Sequence, residues 1–291
     1  MEEMAVKINF NAEAAKTHTA LIYNERLMGK SLLRLSTGVR ILNASDDAAG
    51  LYIADMLGTV AAALEQGNAN IQTGISALQI AESAAGQIYT KLQEIYVRIQ
   101  RAANDINDPN ARQALQQEID NFVNAIEKIA TDTEYNGIKL LDGTFTNKVI
   151  HYGPRAEQTI TVNIDSLKPE DLEVTIENTN YSLTDVTTDG NAPVSGTNAN
   201  PELALQIVEG IMKEVDSVRA NIGAIMNNLQ SVFDAQKVAY DNTKEAESVI
   251  RNTDYAKEMS EFVTYQIRMQ ATVAMLAQAN TLPQLVLQLM R

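Results

Sequence analysis

At 291 residues the chain exceeds a typical single domain, yet it has no tryptophan and an aromatic content of only 5 %, which suits long helices better than a compact enzyme core. It has no cysteine, which excludes disulfides, thiolate catalysis and cysteine-bound metals. Its net charge of −14 argues against binding nucleic acid through the phosphates.

The N-terminal arm is predicted to form an amphipathic helix, and no apolar core of a secretory signal peptide precedes it. We expect this helix to end near Asn43, with Ser45 or Asn43 as the N-cap of the next helix and Asp46 and Asp47 in its first turn. The apolar residues of the arm are predicted to lie on one face: Leu21, Met28, Leu32, Leu35 and Val39.

Two more helices with apolar stripes follow, separated by a turn signal at residues 107–110. Pro109 suits the first turn of the second of them, and the short break predicts antiparallel neighbours. The first stripe is Ile88, Leu92, Ile95, Ile99, Ala102 and Ile106, and the second is Leu115, Ile119, Phe122, Ile126 and Ile129.

The middle of the chain changes to a period of two, which predicts half-buried strands. One strand contains Ile160, Val162 and Ile164, and the other contains Leu172, Val174 and Ile176. Residues 177–200 are rich in Asn, Thr, Asp and Gly, so we expect a short, exposed polar loop there.

A third long helix is predicted after this loop, with apolar residues spaced alternately three and four apart. These are Val208, Ile211, Val215, Val218, Ile222, Ile225, Leu229 and Val232. The fold class is therefore mainly α: a long-helix coiled-coil bundle built from both chain ends, with a small β-hairpin region and a polar loop in the middle.

The C-terminal arm has no charged side chain between Arg268 and Arg291. Such an uncharged, apolar arm must contact a membrane, its own core or another copy of the chain. Gln and Asn residues interrupt the apolar stretch, and its polar face lacks the Lys and Arg of an interfacial helix. A protein partner is therefore predicted, and no membrane.

Motifs at both ends of the chain resemble those of the bacterial flagellin family. They are Leu33–Ile41, Ser45–Leu51, Glu134–Leu141, Asp254–Glu258, Leu276–Asn280, Pro283–Gln284 and the terminal Leu-Met-Arg. Each motif alone is weak, but they occur in the order and spacing of the family over about residues 5–175 and 203–291.

The resemblance implies a secreted, extracellular structural subunit that leaves through the type III flagellar export channel and self-assembles into the hollow helical filament used for motility. It implies terminal arms at 1–44 and 252–291 that pair as a coiled coil and are disordered in the monomer, a helical core domain at 45–176 and 201–251, and a variable surface loop at 177–200. The arm residues implied in assembly are those of the N-terminal face together with Leu276, Leu282, Leu285 and Leu289.

The implied partners are other copies of the chain, an export chaperone on the C-terminal arm near residues 252–291, the filament cap and the hook-junction proteins. A neutral arm suits a channel lining, so we expect negative charge at Gln278 and Gln284 to impair filament growth. Thr and Ser residues of the 177–200 loop are candidate sites for O-linked sugars. They are Thr179, Ser182, Thr184, Thr187, Thr188, Ser195 and Thr197.

Two alternatives remain open. A hook–filament junction protein would have similar arms, cap a hook at low copy number and form no long filaments alone. A secreted helical adhesin or partner-binding module would stay monomeric at any concentration.

One departure from the family concerns the vertebrate flagellin receptor, Toll-like receptor five. Receptor-activating flagellins have Arg, Leu and Gln at three contact positions, where this chain has Glu94, Arg98 and Arg101. These changes predict weak or absent receptor activation. Alternatively, they serve packing between subunits.

No enzyme, cofactor or metal site is predicted. Asp46 and Asp47 fit a helix start better than an acid–base pair. His18 and His151 are the only histidines, and no metal-binding, nucleotide-binding or hydrolase motif is present.

Overall fold

The structure is a computed structural model that describes residues 11–104, 106–188, 190–196 and 199–289, with side chains described up to residue 281. Long helices dominate it, and the predicted fold class is confirmed. The helices are α1 (Ala12–Thr37), α2 (Ala48–Ala102), α3 (Pro109–Asp132), α4 (Pro201–Arg251) and α5 (Tyr255–Leu289). The short strands are β1 (Glu134–Tyr135), β2 (Ile138–Lys139), β3 (Lys148–His151), β4 (Thr159–Val162), β5 (Glu173–Ile176) and β6 (Thr179–Ser182).

The chain divides into two compact units. The arm unit comprises the described residues up to Thr59 and those from Asn242 onward, and the core unit comprises Val60–Asp241. Both boundaries lie inside helices α2 and α4, whereas the sequence motifs placed them at residues 44 and 252. The arm bounds at 44 and 252 that the resemblance implies stay a prediction.

In the arm unit, α1 ends earlier than the predicted Asn43. Gly38 follows the helix in the left-handed conformation, with φ 71°, and the hydroxyl oxygen of Tyr255 lies 2.8 Å from where a Cβ of residue 38 would be. The left-handed backbone favours glycine at this helix end, and any larger residue would also displace the Tyr255 hydroxyl. The N-cap of α2 is Asp47, whose carboxylate accepts the backbone N–H of Gly50 at 2.9 Å, and the predicted Ser45 or Asn43 cap is wrong.

Two connectors, 38–41 and 250–253, lie side by side in the arm unit. Val39 and Asn252 form an antiparallel β-bridge. The backbone N–H of Arg40 donates to the carbonyl of Arg251 at 2.7 Å, and the N–H of Thr253 donates to the carbonyl of Gly38 at 2.9 Å. The Arg40 guanidinium adds a 2.6 Å hydrogen bond to the carbonyl of Ile250. We call this pairing the connector bridge.

In the core unit, the predicted start of α3 is found. Asp108 caps the helix by accepting the N–H of Ala111 at 2.8 Å, and Pro109 occupies the first turn. Ile106 was expected on the α2 stripe but lies beyond the end of that helix and is 89 % exposed. Its side chain therefore takes no part in the bundle core.

The strands form three separate antiparallel pairs, β1–β2, β3–β4 and β5–β6. Strands β4 and β5 correspond to the two predicted strands. The β3–β4 pair packs closely on α2. A methyl group at Gly67 of that helix would overlap the backbone oxygen of Tyr152, and one at Gly74 would lie 2.5 Å from the Ile150 side chain.

The predicted polar loop at 177–200 is largely structured, which corrects that expectation. β6 and a short 3-10 helix, Leu183–Val186, form within it, and Leu183, Val186, Ala192 and Val194 are fully buried. Of the candidate sugar sites there, Thr188 hydrogen-bonds Asp120 through its hydroxyl. Thr197 lies outside the described residues.

The segment is held to α3 by Gln116, whose residue surface is only 2 % exposed. Its amide nitrogen donates to the carbonyl of Val186 and to Asp120, both at 2.9 Å, and its oxygen accepts the N–H of Val194 at 2.7 Å. One side chain therefore anchors two points of the segment.

Candidate assembly surface

The N-terminal arm helix uses a mixed seam to contact the C-terminal arm helix. Besides Leu27 and Arg34, its less exposed residues are seven that are spaced three and four apart in regular alternation, as in a coiled coil. They are Ala14, Thr17, Leu21, Asn24, Met28, Ser31 and Leu35. Three of the seven are polar, so this seam buries less apolar surface than a leucine-rich coiled coil.

Helix α5 has the same spacing. Its inward residues are Glu258, Phe262, Tyr265, Met269, Thr272, Leu276 and Ala279. The two helices are antiparallel, because the start of α1 lies at the far end of α5. Asn11 donates to the carbonyl of Ala279 at 2.7 Å, and Ser31 donates to the carbonyl of Glu258 at 3.3 Å.

An ion pair between Arg34 and Glu258, 3.7 Å apart, lies in this seam. Glu258 is only 6 % exposed, and among the described residues one of its carboxylate oxygens and the Nε of Arg34 have no hydrogen-bond partner. Burying incompletely paired charges costs stability, and buried polar groups at such positions fix the register of paired helices.

An apolar row winds around the exposed side of α5, between exposed polar residues such as Lys257, Gln266 and Arg268. Six residues at successive intervals of four form one row, which we call the α5 ridge: Tyr255, Met259, Val263, Ile267, Ala271 and Met275. All six are exposed, from 44 % at Val263 to 62 % at Met275 among the larger side chains. The row contains no charge and runs for about 30 Å along the helix.

Helix α1 also exposes large apolar side chains, namely Ile22, Tyr23, Leu32 and Leu33. The paired arms thus have some polar groups in the seam and leave several large apolar side chains outside it. Rows spaced four apart are the ridges that pack into grooves of neighbouring helices. The arrangement is suited to burial against further helices.

The predicted arm residues fall into three groups. Leu21, Met28, Leu35 and Leu276 are half-buried in the seam. Leu32 was expected on the same face but is 55 % exposed, because Ser31 occupies the seam position. Val39 was expected on the helix but lies in the connector bridge, beyond the helix-ending Gly38. The side chains of Leu282, Leu285 and Leu289 lie outside the described residues.

The predicted stripe residues of the core unit lie on α2, α3 and α4. Those that are buried are Ile88, Leu92, Ile95, Ile99, Ala102, Leu115, Ile119, Ile126, Val208, Ile211, Val215, Val218, Ile222 and Leu229. Phe122 and Ile225 are partly buried against the same core. These side chains hold the bundle together and are not available to a partner.

The three receptor-motif positions lie near the end of α2. Arg98 pairs with Glu94 and, at 3.0 Å, with Glu118 of α3, and its guanidinium lies 4.9 Å from the centre of the Phe122 ring. Arg101 is exposed in the last turn of the helix. Arg98 is thus held by contacts within the chain.

The groups considered for chemistry have structural contacts. Asp46 pairs with Lys30, which is the main reason that its pKa lies below the usual value. Asp47 caps α2. His18 and His151 are exposed on separate elements, and the part of the chain that the structure describes contains no grouping of three or more potential metal ligands.

By length and composition, one helix among the described residues, α2, could cross a membrane. Only 22 % of its most apolar window is buried within the chain. Core helices of soluble proteins meet the same criterion, so this property alone assigns no membrane contact.

The sequence analysis missed the α5 ridge. The signal was present, since apolar residues recur at every fourth position from Tyr255 to Met275. The alternating three and four spacing of a coiled coil describes the seam of α5 and not this row.

Comparisons with known proteins agree with this architecture. The bacterial flagellin N-terminal helical region matches residues 8–146, and the bacterial flagellin C-terminal helical region matches residues 205–290. Flagellin of Bacillus subtilis is 35 % identical over 98 % of this chain and 100 % of its own length. Flagellin of Aquifex aeolicus is 34 % identical over 99 % of this chain and 100 % of its own length.

A solved structure described as a flagellar hook-associated protein from Vibrio parahaemolyticus has a TM-score of 0.58. It is 16 % identical and covers 71 % of this chain and 99 % of its own, which shows a shared fold alone. The two family regions cover most of the chain and both arm helices. The chain therefore belongs to the bacterial flagellin family and is a structural subunit of the extracellular flagellar filament.

Proposed function

We propose that the subunit is exported unfolded and assembles into a hollow helical filament through its terminal arms, with α1 and α5 packed around the central channel. The observation that carries this proposal is the α5 ridge, which the described residues of the arm unit leave exposed. Contacts of this kind that do not close on themselves produce an open helical polymer.

The distribution of charge supports assembly through the arms. Most of the net charge of −14 falls between residues 60 and 241, while the flanking segments are almost neutral. Arms from neighbouring subunits can therefore approach without strong repulsion. The core units, which carry the acidic charge, keep the unassembled chain soluble.

The test is seeded elongation followed by negative-stain microscopy. We expect long filaments from the full chain and none from a chain lacking residues 252–291. A sharper variant is Ile267→Asp, which places a charge on the α5 ridge, with Gln266→Asp as a control that adds the same charge at the adjacent exposed position.

Loss of elongation in Ile267→Asp alone would support assembly through the ridge. Equal elongation by the Ile267→Asp variant and the wild type would refute it. A full chain that stays monomeric with seeds present would instead favour a partner-binding module, and the same result with binding to hook ends would favour a junction protein.

We also propose that the neutral surface of the C-terminal arm eases the passage of unfolded subunits through the channel. Gln278 is exposed on α5, while the side chain of Gln284 lies outside the described residues. The double change of Gln278 and Gln284 to Glu should shorten filaments grown in cells. Wild-type filament length in that variant would remove this proposal.

We propose that an export chaperone covers the C-terminal arm before secretion. The uncharged α5 ridge supports this, because an exposed apolar row of this length promotes premature association. Deleting residues 252–291 should abolish chaperone binding in calorimetry, whereas deleting residues 1–44 should not. Unchanged binding by the C-terminal deletion would contradict the assignment.

We propose that the chain activates the vertebrate flagellin receptor weakly or not at all. Glu94 and Arg98 present charge where activating flagellins have Arg and Leu, and such changes at an interface centre cost on the order of 2 kcal/mol each. The variant Glu94→Arg, Arg98→Leu, Arg101→Gln should gain reporter-cell activity. A full response to the wild-type chain at ordinary flagellin concentrations would overturn the proposal.

We further propose that the chain has no catalytic activity. Membership of a family of structural proteins supports this, as do the capping and ion-pair contacts that engage Asp46 and Asp47. A screen for hydrolysis of ester, peptide and phosphate substrates should give no turnover above a heat-denatured control. Reproducible turnover that is lost on substitution of Asp47 would contradict it.

A further inference from the structure

Methionine side chains occupy two places near opposite ends of the α5 ridge. Met259 is 53 % exposed and Met275 is 62 % exposed. Both stand in a row whose other members are Tyr, Val, Ile and Ala, so their thioethers are the most readily oxidised groups of the row. The chain has no cysteine, so no thiol competes for an oxidant.

We propose that Met259 and Met275 form an oxidation site that controls whether a free subunit can join the filament. This inference rests on the proposed assembly through the α5 ridge. The oxidant class is a two-electron oxidant such as hydrogen peroxide. The thioether sulfur attacks one peroxide oxygen, the O–O bond breaks, and the products are a sulfoxide and one molecule of water.

Oxidation changes the surface that assembly must bury. A sulfoxide is polar and accepts hydrogen bonds, whereas the thioether is apolar. Buried in a contact between apolar ridges, it loses its hydrogen bonds to water without replacement. The two sulfoxides would place a polar group near each end of the ridge, about 24 Å apart along the helix, since each helical residue adds 1.5 Å.

Other described methionines make useful controls. Met212 and Met226 lie on α4 and are partly buried against the core of the core unit. They are outside the ridge, so their oxidation should not reduce its packing. Leucine replaces methionine with little change of volume, cannot be oxidised and keeps the surface apolar.

The experiment compares seeded elongation of peroxide-treated and untreated subunits, with peptide mass spectrometry to locate the sulfoxides. We expect Met259 and Met275 to be oxidised in the free subunit and protected in the filament. Oxidised wild type should elongate at least about tenfold more slowly, and treatment with a methionine sulfoxide reductase should restore the rate.

The variant Met259→Leu, Met275→Leu should elongate normally and keep its rate after peroxide treatment, while Met212→Leu, Met226→Leu should remain as sensitive as the wild type. Undiminished elongation by oxidised wild type, or equal sensitivity of the ridge variant, would overturn this inference alone. Failure of untreated wild type to elongate seeds would instead refute the proposed function.

Discussion

Gln116 offers a direct test of how the middle segment is held to the core unit. The change Gln116→Leu keeps the size of the side chain but removes its amide. The backbone N–H of Val194 and the carbonyl of Val186 would then lose their partner, and both residues are fully buried. Asp120 would keep its contact with Thr188.

The magnitude follows from those two orphaned groups. Each buried backbone group left without a partner costs about 1–3 kcal/mol. The apolar leucine side chain returns about 1 kcal/mol, because no amide then needs to be desolvated. We expect a net loss of about 3 kcal/mol, which is a large share of the roughly 5–15 kcal/mol that stabilises a typical domain.

The assay is chemical denaturation of the full chain, combined with hydrogen exchange of residues 183–194. The matched control is Gln117→Leu, which makes the same change at the adjacent, exposed position. Gln116→Leu should lower the denaturation midpoint and remove exchange protection at Val194, while the control should leave both within error. An unchanged midpoint and a protected Val194 amide would refute the assignment of Gln116 as the anchor.

Three further predictions concern packing and pH. Gly67→Ala should destabilise the core unit by about 1–3 kcal/mol in thermal denaturation, because the added methyl group would overlap the backbone oxygen of Tyr152. The control Gly223→Ala has open space around it and should stabilise α4 slightly. Burial, together with the charges of two nearby carboxylates, raises the pKa of Glu214. The folded state therefore binds this proton more tightly than the unfolded state, and the stability of the fold falls as pH rises through the raised pKa. Glu214→Gln should therefore raise the melting temperature near neutral pH and lose this advantage in acid; the same gain at all pH values would contradict it. The hydrogen bond from Lys30 lowers the pKa of Asp46, so Asp46→Asn should reduce stability near neutral pH, and the difference should vanish as pH falls through the lowered pKa.

The helical core was predictable because its signals are local. The spacing of apolar residues on α3, the Asp108 cap and Pro109 all lie within one stretch of sequence, and the structure has each of them where expected. The strands β4 and β5 were predictable for the same reason, since alternation is read from neighbouring residues.

The middle segment was misread because its burial depends on distant partners. Leu183, Val186 and Val194 are too widely spaced to produce a period, and Gln116, which anchors them, is about seventy residues away in the chain. The composition of residues 177–200 is mostly polar, which predicts an exposed loop. Tertiary contacts with α3 bury part of the segment instead.

The arm seam was only partly predictable for a different reason. Hydropathy patterns give weight to Leu and Ile, so Leu32 was placed inward although Ser31 holds that position. Hydrogen bonding between Ser31 and the backbone of Glu258 compensates for its polarity, and no single-helix pattern contains that information.

The connector bridge has a mechanical consequence. The two connectors, 38–41 and 250–253, are joined by backbone hydrogen bonds, so a pulling force on one connector is shared with the other. A rotating filament loads its subunits continually, and a proteolytic cut in one connector would leave the severed end tethered by the other connector. The amide hydrogens of Arg40 and Thr253 should therefore exchange slowly, and rapid exchange at both would show that the bridge does not join the two connectors.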